Sequence, residues 1–240
     1  MARVAIVTGG TRGIGAAIST ALQKQGCKVA ATYVGNVERA NAFAKETGIR
    51  VYQWDVASFE ACQKGVAQVE ADLGPVDILV NNAGITRDSM MHKMAPEQWR
   101  SVLDTNLGSC FNMSRAVIEG MRERGFGRIV NVSSVNGQAG QIGQTNYAAA
   151  KAGMVGFTKA LALENAAKGV TVNAIAPGYI ATEMVEAVPP EVLKRIVARI
   201  PVGRLGQAEE IARGVLFLVA DEAGFIAGAT LSLNGGQYMS

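Results

Sequence analysis

Short runs of β-branched and aliphatic residues alternate along the chain with longer stretches whose apolar positions recur at helical spacing. The strand-like runs are Val4–Thr8, Lys28–Tyr33, Arg50–Trp54, Ile78–Val80, Arg128–Ser133, Thr171–Ala176 and Thr230–Leu233. Between them the spacing predicts helices over Gly13–Gln25, Val37–Glu46, Ser58–Leu73, Pro96–Arg124, Tyr147–Lys168 and Ala208–Val219. Strands separated by helices are joined by crossovers, which make neighbouring strands parallel and cover both faces of the sheet. The expected fold class is therefore α/β, a doubly wound parallel sheet of about seven strands. No linker, repeat or biased segment interrupts the alternation, so residues 1–240 read as one domain. The stretch Pro177–Gly206 departs from it, with no strand, two adjacent prolines (Pro189, Pro190) and a short amphipathic run Glu191–Ile200. A long excursion from the carboxyl end of a strand suits a substrate lid, here around residues 179–206.

Composition narrows the classes that this pattern can serve. The chain is 49% hydrophobic and 18% charged, enough to bury a large core. A formal charge of +3 with no basic run argues against a nucleic-acid partner and mildly favours small anionic ligands. Cys27, Cys62 and Cys110 lack metal or redox spacing, and the acidic residues show no metal-ligand clustering. The start of the chain runs directly into Val-Ala-Ile-Val, with no targeting segment or membrane span, so a cytoplasmic protein is expected.

The first strand opens into Thr8-Gly9-Gly10-Thr11-Arg12-Gly13-Ile14-Gly15 and then a helix. Glycines in a first strand-to-helix turn let backbone N–H groups approach a pyrophosphate, and the helix N-terminus favours its charge. The fold is thus of Rossmann type with a dinucleotide cofactor. The second strand ends at Thr32-Tyr33-Val34-Gly35-Asn36 without the acid that an NAD ribose usually meets. Arg12 and Arg39 can instead grip a 2′-phosphate, which selects NADPH/NADP+.

Tyr147-Ala-Ala-Ala-Lys151 sets a phenol and an ammonium one helical turn apart on one face. A free tyrosine holds its proton with a pKa of about 10, and a fixed positive charge would lower that and make a usable general acid. As a bare pair this spacing is common. Its context is not: Val132-Ser133-Ser134 ends the fifth strand with hydroxyls at the carboxyl edge, and Asn81-Asn82-Ala83-Gly84 closes the fourth with small polar residues.

These motifs, with Asn106 and Pro177-Gly178, resemble the short-chain dehydrogenase/reductase family over essentially the whole chain. The resemblance implies that Tyr147 protonates the substrate oxygen, Ser134 polarises it, Lys151 binds the nicotinamide ribose and lowers the tyrosine pKa, and Asn106 supports a water-linked proton path. It further implies that Asp55 and Val56 contact the adenine, that Asn82, Ala83, Gly84 and Ile85 contact the ribose and backbone, and that Pro177, Gly178 and Ile180 lie on the nicotinamide side. Within the family the sequence is most similar to reductases of 3-oxoacyl thioesters. One group reduces acetoacetyl-CoA to (R)-3-hydroxybutyryl-CoA for polyhydroxyalkanoate synthesis; the other acts on acyl-carrier-protein thioesters. The segment from Ser134 to Tyr147 favours the coenzyme A group. By that likeness Gln141, Ile142 and Gln144 meet the acyl group, Tyr179 packs on the substrate, and the segment Asn82–Asp88 adds Asp88. The resemblance also implies a homotetramer built through Pro96–Arg124, Tyr147–Lys168 and the C-terminal strand.

Overall fold

The structure is a computed structural model that describes residues 2–182, 185 and 189–239. Five positions of the expected lid, 183, 184 and 186–188, lie outside the described residues. The strands are β1 (Val4–Val7), β2 (Lys28–Tyr33), β3 (Arg50–Gln53), β4 (Val76–Asn81), β5 (Gly127–Val132), β6 (Val170–Pro177) and β7 (Thr230–Leu233). They form one seven-stranded sheet in the order β3-β2-β1-β4-β5-β6-β7, and every pairing is parallel. The helices are α1 (Gly13–Lys24), α2 (Val37–Thr47), α3 (Phe59–Leu73), α4 (Pro96–Leu103), α5 (Ser109–Arg124), α6 (Val135–Ala139), α7 (Thr145–Asn165), α8 (Pro190–Val197) and α9 (Ala208–Val219).

Period-two alternation decides which side chains meet which helices. Ala5 and Val7 of β1 point into a core with Ile18 and Leu22 of α1 and with Ile211, Val215 and Leu218 of α9. Val4 and Ile6 point the other way, into a core with Val66 and Val69 of α3 and Met113, Val117 and Met121 of α5. Each large apolar side chain buried this way contributes about 1.5–3 kcal/mol. β5 and β6 are buried at every position and β4 at every position but Asp77, so they read in the sequence as largely apolar stretches without the strict polar alternation of a half-exposed strand.

The chain winds outward from β1 in both directions, so the crossovers diverge between β1 and β4. That divergence opens a crevice at the carboxyl ends of the strands. All the elements that carry candidate chemistry end or begin there.

Several expected ends shift by a residue or two, and three differences bear on the site. The predicted helix Pro96–Arg124 is two helices joined by a π-turn over Asp104–Gly108. Apolar spacing runs through the join because Val102, Cys110 and Met113 are all buried, so periodicity alone does not reveal it. The helix expected from Tyr147 starts two residues earlier, at Thr145, and passes into a 3₁₀ turn at Ala166–Lys168. The stretch after β6, expected to lack strand, forms an isolated parallel bridge between Ile180 and Gly206, which fastens the base of the excursion. Among the described residues no helix is long and apolar enough to cross a membrane, and no group of three metal-ligating side chains occurs.

Candidate active site

The glycine loop is built by close contact. A Cβ on Gly15 would lie 2.1 Å from the Gly9 carbonyl oxygen and 2.6 Å from the Asn82 amide, so only glycine fits. Gly9 and Gly13 have φ of +61° and +50°, a region that side chains disfavour. Thr8 locks this loop to the end of β4. Its Oγ1 accepts the backbone N–H groups of Asn82 and Ala83, both at 2.9 Å, and Asn82 Nδ2 donates back to the Thr8 carbonyl at 2.9 Å. The result is a cradle of fixed backbone at the N-terminus of α1, suited to a pyrophosphate.

Beside the cradle lies a cavity of about 190 Å³ lined by Ile14, Asn82, Gly84, Ile85, Ser134, Tyr147, Lys151, Pro177 and Gly178, together with Thr86, Val132 and Ser133. The four motifs therefore converge on one space. Ser134 reaches it as the N-cap of α6, where its oxygen accepts the Asn136 N–H at 3.1 Å. Gly137 lets α6 lie directly on α7, since a Cβ there would be 2.7 Å from the Lys151 Cβ. The Ser133 hydroxyl donates to the Lys151 carbonyl at 2.8 Å, which ties β5 to the same helix.

Lys151 is almost wholly buried and donates to the Val132 carbonyl at 2.7 Å. Burial disfavours its charged form and lowers its pKa to about 8. Its ammonium stands 5.6 Å from the centre of the Tyr147 ring. The phenol itself is pushed up by burial, drawn down by a hydrogen bond with Ser134, and pushed up by the Asp88 carboxylate. Lys151 is not among the groups that shift the phenol here, and its ammonium donates to a backbone carbonyl.

Asn106 is fully buried in the π-turn and exchanges two hydrogen bonds with the Ile85 backbone: Oδ1 accepts at 2.8 Å and Nδ2 donates at 2.9 Å. It fixes Gly84 and Ile85 against the cavity rather than lining it.

The remaining residues sit around this centre. Thr11, Arg12, Gly13 and Arg39 line a separate groove of about 770 Å³ between α1, α2 and α9. Gly35 is exposed at the end of β2. Asp55 accepts the Ala57 N–H at 2.9 Å, and Asn112, which the sequence does not single out, donates to the Val56 and Ala57 carbonyls at 3.0 and 3.2 Å. On the open side, Gln144 ties the loop after β4 to α6: Nε2 donates to Asp88 at 2.8 Å and Oε1 accepts from Asn136 at 3.0 Å. Ile142 is 84% exposed, Gln141 is exposed, and the carbonyl of half-buried Tyr179 accepts the Gly206 N–H at 2.9 Å. Asn136 and Thr86 are the neighbours that sequence reasoning misses, because Thr86 is an isolated polar residue in a loop and Asn136 lies in the five-residue helix α6, too short to show a period.

Sheet order, glycine cradle and converging side chains define a dinucleotide-dependent oxidoreductase class. The chain belongs to the short-chain dehydrogenase/reductase family: residues 9–237 match the profile of a member group described as enoyl-(acyl carrier protein) reductase. It is 68% identical over 241 residues, spanning all of both chains, to a protein of Rhizobium meliloti (strain 1021) named acetoacetyl-CoA reductase. It is 66% identical over 239 residues, 99% of each chain, to a protein of the same name from Shinella zoogloeoides. A protein of Haemophilus influenzae named 3-oxoacyl-[acyl-carrier-protein] reductase matches at 46% over 240 residues, again 99% of each chain.

Proposed function

We propose that the protein reduces acetoacetyl-CoA to (R)-3-hydroxybutyryl-CoA with NADPH, in the service of polyhydroxyalkanoate synthesis. The observation that carries the chemistry is the convergence of Ser134, Tyr147 and Lys151 on one cavity beside the glycine cradle. The greater likeness to proteins named for the coenzyme A thioester than to one named for the carrier-protein thioester supports the choice of substrate.

The cradle fits a dinucleotide because a Cβ at Gly15 or Gly9 would fill it. Gly13, Ile14 and Gly15 would hold the pyrophosphate, Asp55 and Val56 the adenine, and Gly84, Ile85, Pro177, Gly178 and Ile180 the nicotinamide end. Arg12 and Arg39 would meet the 2′-phosphate. A bound reduced nicotinamide supplies the electron pair and the hydrogen that the carbonyl carbon takes up. Tyr147 gives its phenolic proton to the carbonyl oxygen, and Ser134 donates a hydrogen bond to that oxygen as negative charge builds on it. A tyrosine, with an ordinary pKa of about 10, carries its proton at neutral pH, the state a proton donor needs. Lys151 spends one of its three donors on Val132 and offers the others to ribose hydroxyls.

Asp88, Gln141, Gln144 and Ile142 form the acyl-group wall, with Tyr179 and the segment 179–206 as its lid. Four copies would associate through α4, α5, α7 and β7; the exposed Phe59–Phe111 stack, with ring centres 6.0 Å apart, suits such a covered face. We place the protein in the cytoplasm.

The test is a panel of acetoacetyl-CoA and acetoacetyl-carrier protein with NADPH and NADH, followed by product chirality. The expected outcome is a higher kcat/KM for the coenzyme A thioester with NADPH and an (R) alcohol. A large preference for the carrier thioester overturns the substrate, and a preference for NADH overturns the cofactor.

A further inference from the structure

Asn146 stands immediately before Tyr147 and has no accessible surface. A neutral amide side chain carries two N–H donors and one carbonyl, and here each has a partner. Nδ2 donates to the Arg87 carbonyl at 3.0 Å and to the Gln98 carbonyl at 3.2 Å, while Oδ1 accepts the Tyr147 backbone N–H at 2.8 Å. The orientation is set by this chemistry. A flipped amide would face one N–H with its NH₂ and two carbonyls with its oxygen.

The three partners belong to three different segments. Arg87 precedes Asp88 on the loop that leaves β4, Gln98 lies in the first turn of α4, and Tyr147 lies in the first turn of α7. The N-terminal N–H groups of a helix need outside acceptors, and the N-cap residue usually supplies one. In α7 the N-cap, Gln144, makes no side-chain cap, because its amide is committed to Asp88 and Asn136. Asn146 fills that role from inside the helix, and does so at Tyr147. Two further ties run alongside, Gln144 to Asp88 and the Ser89 N–H to the Gly143 carbonyl at 2.8 Å, but both lie nearer the surface.

We infer that Asn146 is the positioning residue of Tyr147: it clamps the substrate-side loop at Arg87 and the start of α4 to the first turn of α7, so that the phenol and the acyl-group wall keep one fixed spacing. The inference rests on the reading of Tyr147 as proton donor. A side chain in the first turn of a helix moves with that turn, and a displacement of about 1 Å in a reacting group costs on the order of 100-fold in rate.

The experiment uses the purified full chain with NADPH and acetoacetyl-CoA, comparing the native protein with Asn146→Ala and Asn146→Asp. The aspartate has nearly the same shape and keeps the acceptor for Tyr147, but it loses both donors. Measured are kcat, KM, NADPH affinity by fluorescence, thermal melting, and isotope effects on the transferred hydrogen and in heavy water. The expected result is a kcat lower by about 10- to 100-fold in each variant, with NADPH affinity within about twofold of native. Isotope effects should increase as proton and hydrogen transfer become rate-limiting. A merely structural role would reduce the active fraction and scale kcat down, leaving the isotope effects unchanged. That result, an undiminished kcat, or failure of both variants to fold and bind NADPH overturns the inference. Tyr147→Phe, run in parallel, keeps the two claims apart. If it stays active the proton-donor reading itself fails, whereas an inactive Tyr147→Phe with an unimpaired Asn146→Ala refutes only the role of Asn146.

Discussion

Replacing Gly15 by alanine sets two opposed effects against each other at one atom. Gly15 is the third residue of α1, is buried, and does not have a positive φ. By backbone preference alone, alanine in a helix is better than glycine by about 1 kcal/mol. The added Cβ, however, would sit 2.1 Å from the Gly9 oxygen and 2.6 Å from Asn82 Nδ2, with the Gly9 carbonyl carbon at 2.9 Å. None of these is the loose end of a flexible side chain, so the loop must move by roughly 1 Å, and overpacking of this kind costs about 1–3 kcal/mol. The steric effect is the larger. Gly15→Ala should melt no higher than the native protein and should bind NADPH at least about tenfold more weakly, equivalent to about 1.4 kcal/mol. Calorimetry and cofactor fluorescence on the same preparations decide it. A higher melting temperature with unchanged affinity would refute the close-approach argument for the cradle.

Tyr147→Phe should lower kcat by about 10²- to 10⁴-fold, the usual share of a general acid, while NADPH fluorescence titration shows binding retained. On the proposed contact of its guanidinium with the 2′-phosphate, Arg39→Ala should raise the KM for NADPH by about tenfold or more and leave that for NADH nearly unchanged; equal effects on both cofactors would sink the assignment. Lys151 yields a stability prediction. Its pKa is about 8 in the folded protein against a model-peptide 10.5, so between these values the unfolded chain binds more protons and folding becomes more favourable as pH rises. Without added nucleotide, native protein should gain up to about 3 kcal/mol from pH 8 to 10.5 relative to Lys151→Met. Denaturant titrations that run parallel for the two proteins across this range would show the lysine to be better solvated than its burial implies.

The sheet was legible because its signals are local. Runs such as Ile78–Val80 and Ile129–Val132 are mostly apolar and β-branched, and glycines punctuate the chain at the turns between elements. The glycine loop was legible for the same reason. The join at Asp104–Gly108 was hidden, since a π-turn changes which face a residue occupies without changing composition. The short helix α6 was not predicted, because it lies on α7 through Gly137 and carries no apolar stripe of its own. The surroundings of the lysine were hidden for a longer-range reason. A spacing of four shows that two side chains share a face, but the acceptor that captures the ammonium, Val132, lies 19 residues away in sequence. The buried amides of Asn112 and Asn146 have that character too: their partners are backbone groups, which every residue owns and no sequence pattern marks.

The π-turn has a consequence for how this site tolerates insertion and deletion. Each residue added to a helix advances its phase by about 100°. The extra residue in Asp104–Gly108 therefore resets the faces of α4 and α5 relative to one another, so that Val102 and the Met113-Val117-Met121 row are each buried on their own terms. Removing one residue there would give a longer, regular and intrinsically more favourable helix. It would also rotate Asn106 off the Ile85 backbone and turn one of the two flanking apolar rows toward water. The irregular turn is held in place from both sides, and a chain one residue shorter would keep its helices and lose the register of its site.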